Sequence, residues 1–559
     1  MRAPWFPALL VVLTLAACTP APRLVDTPVT SPVPEKVDTG ELVVGVSSVA
    51  GGYNPHHLSD QSVVTTALAN LVLPSVFRPG ADGTPRLDDT LMSSASVTDY
   101  DPYTVTYRIR SDASWSDTAP IAAEDFVYLW QEIIDSTGAI DAAGYRLISD
   151  ITARDAGKVV EVVFTDPYPG WRSLFTSLLP AHLLKDAPGG WDGALQTNFP
   201  ATAGPYAVKA LDTDRGEVVL ERNDRYWEEP PKLDRIVLRR ADNSGIVDAL
   251  EAGHDQLALA RLDAVSAGEI ARIAPPVPVQ TAARPSVLTL AVRPDRPQLT
   301  ERTVRAAVIA ALDRDQLVTV GTAGGPGVEL RSDAQVLAPA LPGYRATQPA
   351  SRRHSPADVV TLLGRSGYTR TATGWTREGQ PLDLVVGAPA ERETAQLVAR
   401  EVARQLAAVG IAARVVTPPA DELYAQLSGA QTDGEEPVDG DTVDLAVISR
   451  PVNGDQATVL ASNFGCAPAQ DGQGPSPANV FGLCDPGVQP TMDAALTGAL
   501  SVTDALAAIE PLLWDTAVAL PLYQESETLA VRPEVSGVAV GPPLVGPFAG
   551  AASWQRAAG

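Results

Sequence analysis

The histidines and carboxylates, the first residues to test for catalytic chemistry, form no catalytic or metal-binding pattern. The five histidines include the adjacent pair His56 and His57, whose side chains cannot share one helix face, and none fits HExxH or a related ligand spacing. No GxSxG nucleophile motif is present. Two glycosidase carboxylates could lie far apart in the sequence, so a secreted hydrolase stays as the least favoured function. We expect a protein that is not an enzyme and holds no metal or cofactor.

A glycine-rich run between residues 321 and 327 is the nearest approach to a phosphate-binding loop. It lacks the Lys-Ser/Thr pair that such a loop uses to hold phosphate and magnesium. We therefore expect a flexible turn there.

Cys18 is the residue whose position indicates covalent chemistry. An apolar stretch from Phe6 to Ala17 is too short to span a bilayer and has the length of a signal-peptide core. It ends in Leu-Ala-Ala-Cys, which predicts a lipoprotein signal peptide over 1–17 and a lipid such as palmitate on Cys18. The alternative is an ordinary signal peptide with an incidental Cys. We expect a protein anchored by lipid to the extracytoplasmic face of the cell membrane.

The segment from Cys18 to Thr39 is rich in proline, which favours extended conformations and predicts a tether. Plain disorder is the alternative and allows the same spacer role. The remaining cysteines, Cys466 and Cys484, flank a Gly/Pro-rich loop and predict a disulfide, which export permits. The alternative is a metal pair, but no histidine lies near either cysteine.

The composition limits the range of partners. The formal net charge is −25, so the surface repels phosphate backbones and nucleic acid is an unfavourable partner. After the signal peptide no apolar run approaches the ~20 residues that span a membrane. We expect a monomer, attached to the membrane through lipid alone.

The elements that must position any site alternate between strands and helices. Periodicity predicts strands at Glu41–Val46 and Thr104–Arg110, and helices at Ala123–Asp135 and Glu391–Val409, the last ending at Gly410. Strand–helix alternation in the second half, with hairpins and helices in the first, predicts a mixed α/β and α+β fold.

Six segments, taken in chain order, are similar to motifs of one protein family. The chain resembles the family 5 extracytoplasmic solute-binding proteins, which serve ABC importers of peptides, nickel and oligosaccharides. The segments are ASWSDTAPIAAEDF (113–126), TAGPYAV (202–208), LERNDRYWEEPPKLDRI (220–236), RAAVIAALDRDQL (305–317), QLAAVGI (405–411) and LPLY (520–523).

The resemblance implies a two-lobed, type II periplasmic-binding-protein-like fold with a ligand cleft and an extra inserted domain. It also implies an ABC permease as partner and a peptide or other small molecule as ligand. The implied ranges are 40–75, 201–283 and 519–559 for the first lobe, 76–200 for the inserted domain and 284–518 for the second lobe.

The resemblance also implies candidate ligand-binding residues. Asn453-Gly454-Asp455 matches a family stretch that often carries an Asp bound to a peptide's amine, although Asp455 could equally cap the helix beginning near Gln456. The other candidates are Tyr53, Asn54, Arg450 and Trp115, and for Trp115 a core role is the alternative.

Two departures from the family motifs affect the expected ligand. Thr118 replaces the usual Gly of the first motif, and Ser449-Arg450-Pro451 stands where an aromatic often precedes the N-G-D stretch. These changes make the chain look closer to a mycobacterial lipoprotein of the same fold. That likeness implies an alternative role in phosphatidylinositol mannoside and lipoarabinomannan synthesis. The ligand would then be a glycolipid and the partner a membrane glycolipid-synthesis protein.

Overall fold

Two long strands run through the middle of a mixed α/β fold. The computed structural model describes residues 40–80, 82–350, 355–429, 442–452, 454–467, 474–542 and 544–557. Its strands are β1 (Glu41–Val46), β2 (Phe77–Pro79), β3 (Pro85–Leu87), β4 (Met92–Tyr100), β5 (Tyr103–Ile109), β6 (Ile148–Arg154), β7 (Val159–Phe164), β8 (Tyr206–Asp212), β9 (Glu217–Arg222), β10 (Arg235–Arg240), β11 (Leu257–Ala260), β12 (Val279–Val292), β13 (Thr369–Thr371), β14 (Gly374–Arg377), β15 (Gln380–Pro381), β16 (Asp383–Gly387), β17 (Ala412–Val416), β18 (Leu445–Pro451), β19 (Ala519–Val531), β20 (Val535–Ser536) and β21 (Gln555–Arg556).

The helices pack on both sides of these strands. They are α1 (Val63–Val72), α2 (Ala123–Asp135), α3 (Ala142–Tyr145), α4 (Ala181–Leu184), α5 (Gly190–Ala194), α6 (Asn243–Ala252), α7 (Ala264–Ile270), α8 (Arg302–Ala310), α9 (Arg314–Thr322), α10 (Val359–Arg365), α11 (Glu393–Ala408), α12 (Ala420–Ser428), α13 (Gln456–Phe464), α14 (Gln489–Leu496) and α15 (Val502–Thr516). No helix in the described part of the chain is long and apolar enough to cross a membrane.

One ten-stranded sheet joins the two predicted lobes, in the order β17-β16-β18-β12-β19-β11-β1-β10-β9-β8. The strands β1 and β8–β11 lie in the ranges predicted for the first lobe, and β16–β18 lie in the second. Strand β12 crosses the predicted boundary near residue 284, and β19 pairs with it on both sides of that boundary. Near Ala283 strand β12 pairs with the second half of β19, and beyond Val287 it pairs with the first half. The register shifts between Ala283 and Val287, so the ladder is interrupted where the sheet passes between the lobes.

The inserted range 76–200 forms a separate four-stranded sheet, β4-β5-β7-β6, with α2 beside it. Its buried aromatic residues belong to the same apolar cluster as the first lobe, whereas a second cluster fills the space around α8–α11. The cysteines form the predicted disulfide, with an S–S distance of 2.08 Å. The bond links Cys466, two residues after α13, to Cys484 in the segment before α14.

The motifs that carry the family resemblance have structural roles. A Cβ on Gly204 would lie 2.1 Å from the Leu71 carbonyl oxygen, so the segment passes α1 at a distance that only glycine allows. The Trp227 ring nitrogen donates to the Thr90 carbonyl at 2.7 Å. The motifs around Gly204 and Trp227 therefore hold the framework of the first lobe together.

Candidate functional site

Around the crossing strands lies a cluster of half-buried charged residues, which we call the floor: Arg261, Arg284, Arg392, Glu525 and Glu527. The side chain of Arg284 is 13% exposed, and those of Glu525 and Glu527 are 14% and 11% exposed. Glu525 and Glu527 project from the same face of β19 because alternate residues of a strand share a face. The floor therefore brings charges of both signs to the strands that connect the lobes.

The two floor carboxyls differ in their surroundings. Burial raises the pKa of Glu525, but Arg284, the hydroxyls of Ser286 and Ser449, and Arg392 outweigh it, so that pKa lies below its ordinary value. Ser286 donates to Glu525 Oε2 at 2.6 Å. Burial raises the pKa of Glu527 to about 7 despite the opposing arginines. Glu525 is thus a fixed charge, and Glu527 changes its charge near neutral pH.

The floor also touches both predicted lobes. The Arg392 guanidinium, just before α11, donates to the Gln61 carbonyl oxygen beside α1. Tyr424, from α12, donates to the Ser449 carbonyl at 3.0 Å. The floor is therefore built from elements that a change in lobe orientation would separate.

A second polar region, which we call the wall, lies where α13 of the second-lobe range meets α3 of the inserted range. Burial, followed by the nearby charge of Asp455, raises the pKa of Asp141 to about 8. A Cβ on Gly454 would lie 3.2 Å from Asp141 Oδ2, so the chain before Asp455 passes directly beside that carboxyl. Asp141 itself has φ 53°, a left-handed conformation that Asp tolerates better than most residues. The wall therefore brings two carboxyls, one from the inserted range and one from the second-lobe range, close enough to influence each other.

Hydrogen bonds join the inserted range to the second-lobe range around the wall. Tyr168 Oη and Thr458 Oγ1 lie 2.7 Å apart, and the Ala143 backbone N–H donates to Ser462 Oγ at 3.2 Å. Asp455 Oδ2 accepts from the Thr458 backbone N–H at 3.0 Å. Asp455 is thus the N-cap of α13, which confirms the structural alternative considered for it, and its charge still influences Asp141.

The first-lobe candidates Tyr53 and Asn54 are buried. Tyr53 Oη donates to the Val49 carbonyl at 2.6 Å, and the Asn54 backbone N–H donates to Asp60 Oδ2 at 2.9 Å. The Asn54 side-chain nitrogen has no partner among the described residues. Their binding roles stay predictions.

Trp115 has no exposed surface. Its ring nitrogen donates to Asp125 Oδ2 at 3.3 Å, and the same oxygen accepts from the Ala122 backbone N–H at 3.0 Å. Burial raises the pKa of Asp125 to about 6. Trp115 therefore lies in the packed start of α2, and a ligand contact for it stays a prediction.

Arg450 is 1% exposed and lies in β18 opposite Val287. Burial lowers the pKa of Arg450 to about 10, against the favourable charge of Glu510. Its three guanidinium nitrogens find no hydrogen-bond partner within the described ranges. The remaining predicted residues, Asn453 and Cys18, lie outside the described residues.

A groove of about 700 Å³ also lies on the first lobe, beside β1, β9, β10 and α6. Its arginines are already paired, Arg239 with Asp255 at 2.9 Å and Arg235 with Glu41 at 3.2 Å. In the described ranges, no group of three or more His, Cys, Asp or Glu residues is placed to hold a metal ion. The floor and the wall therefore remain the regions that combine charge, burial and a position between the lobes.

Comparison with known sequences settles the family. The family described as bacterial extracellular solute-binding proteins, family 5 Middle, matches residues 89–469. The chain belongs to this family. Relatives of this family 5 protein include the "Probable monoacyl phosphatidylinositol tetramannoside-binding protein LpqW" of Mycobacterium tuberculosis, 35% identical over 98% of this chain and 96% of that protein. The oligopeptide-binding protein OppA of Mycobacterium bovis is 26% identical over 89% of this chain and 81% of that protein.

Solved structures of similar proteins confirm the fold. The oligopeptide-binding protein AppA of Bacillus subtilis, in complex with a nonapeptide, superposes with a TM-score of 0.73 and covers 92% of this chain and 99% of its own, at 16% identity. The two-lobed type II fold predicted for this family 5 protein is therefore correct, and so is its likeness to the mycobacterial lipoprotein.

The sequence prediction missed the floor and half of the wall. A usable signal was present in β19, where Glu525 and Glu527 alternate in the polar middle of a strand with apolar ends, since alternate residues of a strand share a face. Asp141 gave no comparable signal, because its environment depends on α13, which is distant in the sequence.

Proposed function

We propose that this protein is a lipid-anchored extracytoplasmic solute-binding protein that captures a small ligand between its lobes and delivers it to an ABC importer. The observation that carries the proposal is the floor, where half-buried charges from both lobe ranges surround polar atoms that have no partner among the described residues. Family membership supports capture rather than chemistry, because the relatives named above are binding proteins by their names.

Capture requires that the ligand make more contacts in one lobe arrangement than in another. The interrupted ladder between Ala283 and Val287 is the position at which β12 can bend, and the register shift leaves fewer hydrogen bonds to break there. A ligand that contacts the floor and the wall together would stabilise the closed arrangement. The candidates Tyr53, Asn54, Trp115, Arg450, Asn453 and Asp455 stay proposals for additional contacts.

The anchor is the second part of the proposal. Lipid on Cys18, followed by a Pro-rich tether, would hold the binding body near its membrane partner at high effective concentration. Labelling cells with an alkyne analogue of palmitate should modify the wild-type protein and leave Cys18→Ser unlabelled. Equal labelling of both would contradict the anchor, and Cys466→Ser is a control that keeps Cys18.

Ligand capture is tested by thermal unfolding of the purified protein. A mixture of short peptides should raise the midpoint in a saturable manner, and the shift should shrink in Asp455→Ala but not in Asp150→Ala, an exposed carboxylate on β6. A flat response to every peptide would reject the peptide version.

A second ligand class has its own support. The relative at 35% identity over nearly the whole chain is, by its name, a probable binder of monoacyl phosphatidylinositol tetramannoside. A phosphatidylinositol mannoside would then replace the peptide, and the protein would act in glycolipid synthesis beside a membrane partner. Deleting the gene and profiling the envelope glycolipids distinguishes the two: an altered profile favours synthesis, and an unaltered profile with lost peptide uptake favours import.

A further inference from the structure

A small cavity opens in the floor beside Tyr523. Its volume is about 20 Å³, which is room for one water molecule or one hydroxyl group. Tyr523 is 3% exposed, and its phenol oxygen has no partner among the described residues. Glu527 Oε2 and Arg284 Nε, which belong to two further lining residues, are also buried and unpartnered in that part of the chain. Three polar groups thus surround a space that the protein itself leaves unfilled.

The charged groups around this cavity are near each other but are not hydrogen-bonded. Arg284 Nη1 lies 3.6 Å from Glu525 Oε1 and 3.8 Å from Glu527 Oε1. Both distances exceed those of an ordinary N–H···O bond, so each pair retains its attraction without completing a bond. Buried donors and acceptors without hydrogen-bond partners favour the binding of another group that can form hydrogen bonds with them.

The glycine-rich run between residues 321 and 327 builds one side of the cavity. A Cβ on Gly321 would lie 2.6 Å from the Tyr523 phenol oxygen, and one on Gly327 would lie 2.9 Å from Ser526 Oγ. A Cβ on Gly325 would lie 2.2 Å from the Leu262 carbonyl oxygen. The run expected to be a flexible turn therefore packs closely against the crossing strands, and its glycines make room for the phenol.

The charges around the cavity select the kind of group that fits. An anion would approach the carboxylate of Glu525, and a cation would approach Arg284 and Arg261. A neutral hydroxyl can donate to Glu527 while it accepts from Arg284 or Tyr523, so it satisfies groups of both kinds at once.

We propose that this cavity is a subsite for a hydroxyl group of the captured ligand, which makes that ligand a sugar or another polyol. The proposal rests on the proposed function, because the ligand must enter between the lobes. The bound hydroxyl replaces water in the cavity and adds bonds that exist only when the lobes and the floor are in place.

Isothermal titration tests the subsite with two polyols, myo-inositol and methyl α-D-mannopyranoside, and with tri-alanine and inorganic phosphate as comparison probes. At least one polyol should bind the wild-type protein. Tyr523→Phe and Glu527→Gln should each weaken that binding by about 5- to 30-fold, since each loses one buried hydrogen bond of ~1–2 kcal/mol. Tyr368→Phe, at a buried tyrosine in the second core, should bind as the wild type does.

The subsite is overturned if neither polyol binds, or if both floor variants retain polyol binding in full. If tri-alanine binds while the polyols do not, capture of a solute stands and the hydroxyl subsite falls. Phosphate binding lost in the same variants would show that the floor selects an anion, which also overturns the proposal. Circular dichroism identifies any variant that fails to fold, and the other floor variant then decides.

Discussion

The floor and the wall are both polar regions where different parts of the chain meet, but their charges differ. The floor combines charges of both signs, whereas the wall combines two carboxyls. The floor combines three arginines with two glutamates, so that each buried charge has an opposite charge close by. The wall sets Asp141 beside Asp455, with no cation among the causes that shift the pKa of Asp141. Each charge of the floor has an opposite charge nearby. At the wall, a proton on Asp141 or a nearby cation would remove the repulsion between the two carboxyls.

This difference divides the work of capture. A mixed-charge floor favours neutral groups that bond to both signs, which is why a hydroxyl fits the cavity beside Tyr523. A wall of two carboxyls makes closure sensitive to protonation and to any positive group on the ligand. Under the proposed function the two regions would contact different parts of the same ligand.

The largest expected effect comes from removing the central cation of the floor. Arg284→Ala leaves Glu525 buried without its principal countercharge and should lower the free energy of unfolding by about 3–5 kcal/mol, measured by urea denaturation. Arg154→Ala, which removes an exposed pair with Glu161, should cost less than ~1 kcal/mol. Equal effects in the two variants would show that the floor charges are not coupled.

The disulfide next to the wall should have the second largest effect. Replacing Cys466 and Cys484 together by Ser should lower the free energy of unfolding by ~3 kcal/mol, because the open chain gains entropy when the loop is no longer closed. A reducing agent should lower the wild-type stability by a similar amount and leave the double variant unchanged. If the reducing agent has no effect on the wild-type protein, the bond does not support α13.

The wall predicts a pH dependence of known sign. Because the folded-state pKa of Asp141 is raised to about 8, the folded state holds a proton that the unfolded state releases above about pH 4. Its contribution therefore becomes less favourable as the pH rises from about 4 to 8. Asp141→Asn should raise the free energy of unfolding more at pH 8 than at pH 4, where it should change it little.

Glu527, with a pKa of about 7, adds a dependence of the same sign between about pH 4.5 and 7, and Asp141→Asn retains it. The difference in the free energy of unfolding between Asp141→Asn and the wild type at each pH therefore isolates the contribution of Asp141. Asp150→Asn, on the exposed face of β6, is the matched control. A gain that is the same at both pH values would contradict the raised pKa.

The smallest effect is expected for the bond between Tyr168 and Thr458. Tyr168→Phe removes one buried hydrogen bond between the inserted range and the second-lobe range and should lower the free energy of unfolding by ~1 kcal/mol. Tyr100→Phe, at a tyrosine that is 77% exposed, should have no measurable effect. A loss well above 2 kcal/mol would show that this bond contributes more to the stability of the folded protein than one ordinary buried hydrogen bond does.

Local sequence patterns predicted the helices and strands, whereas the candidate site is built from residues that are distant in the sequence. Helix α2 spans the predicted range because five apolar residues recur at helical spacing, and α11 ends before Gly410, which has φ 85°. The site joins residues that are distant in the sequence: Tyr168 and Thr458 are 290 residues apart, and Ser286 and Glu525 are 239 apart. Such pairs depend on how the lobes meet, which no periodicity records, so the sequence prediction included Asp455 and not Asp141.

The central claim is that this family 5 protein captures a ligand between its lobes. Native mass spectrometry of the full chain, purified from its own cells, tests it most directly. We predict one small polar molecule bound per chain in the wild type and a marked loss of that molecule in Glu527→Gln. An empty wild-type protein that also fails to bind peptides, polyols and phosphatidylinositol mannosides would contradict the account.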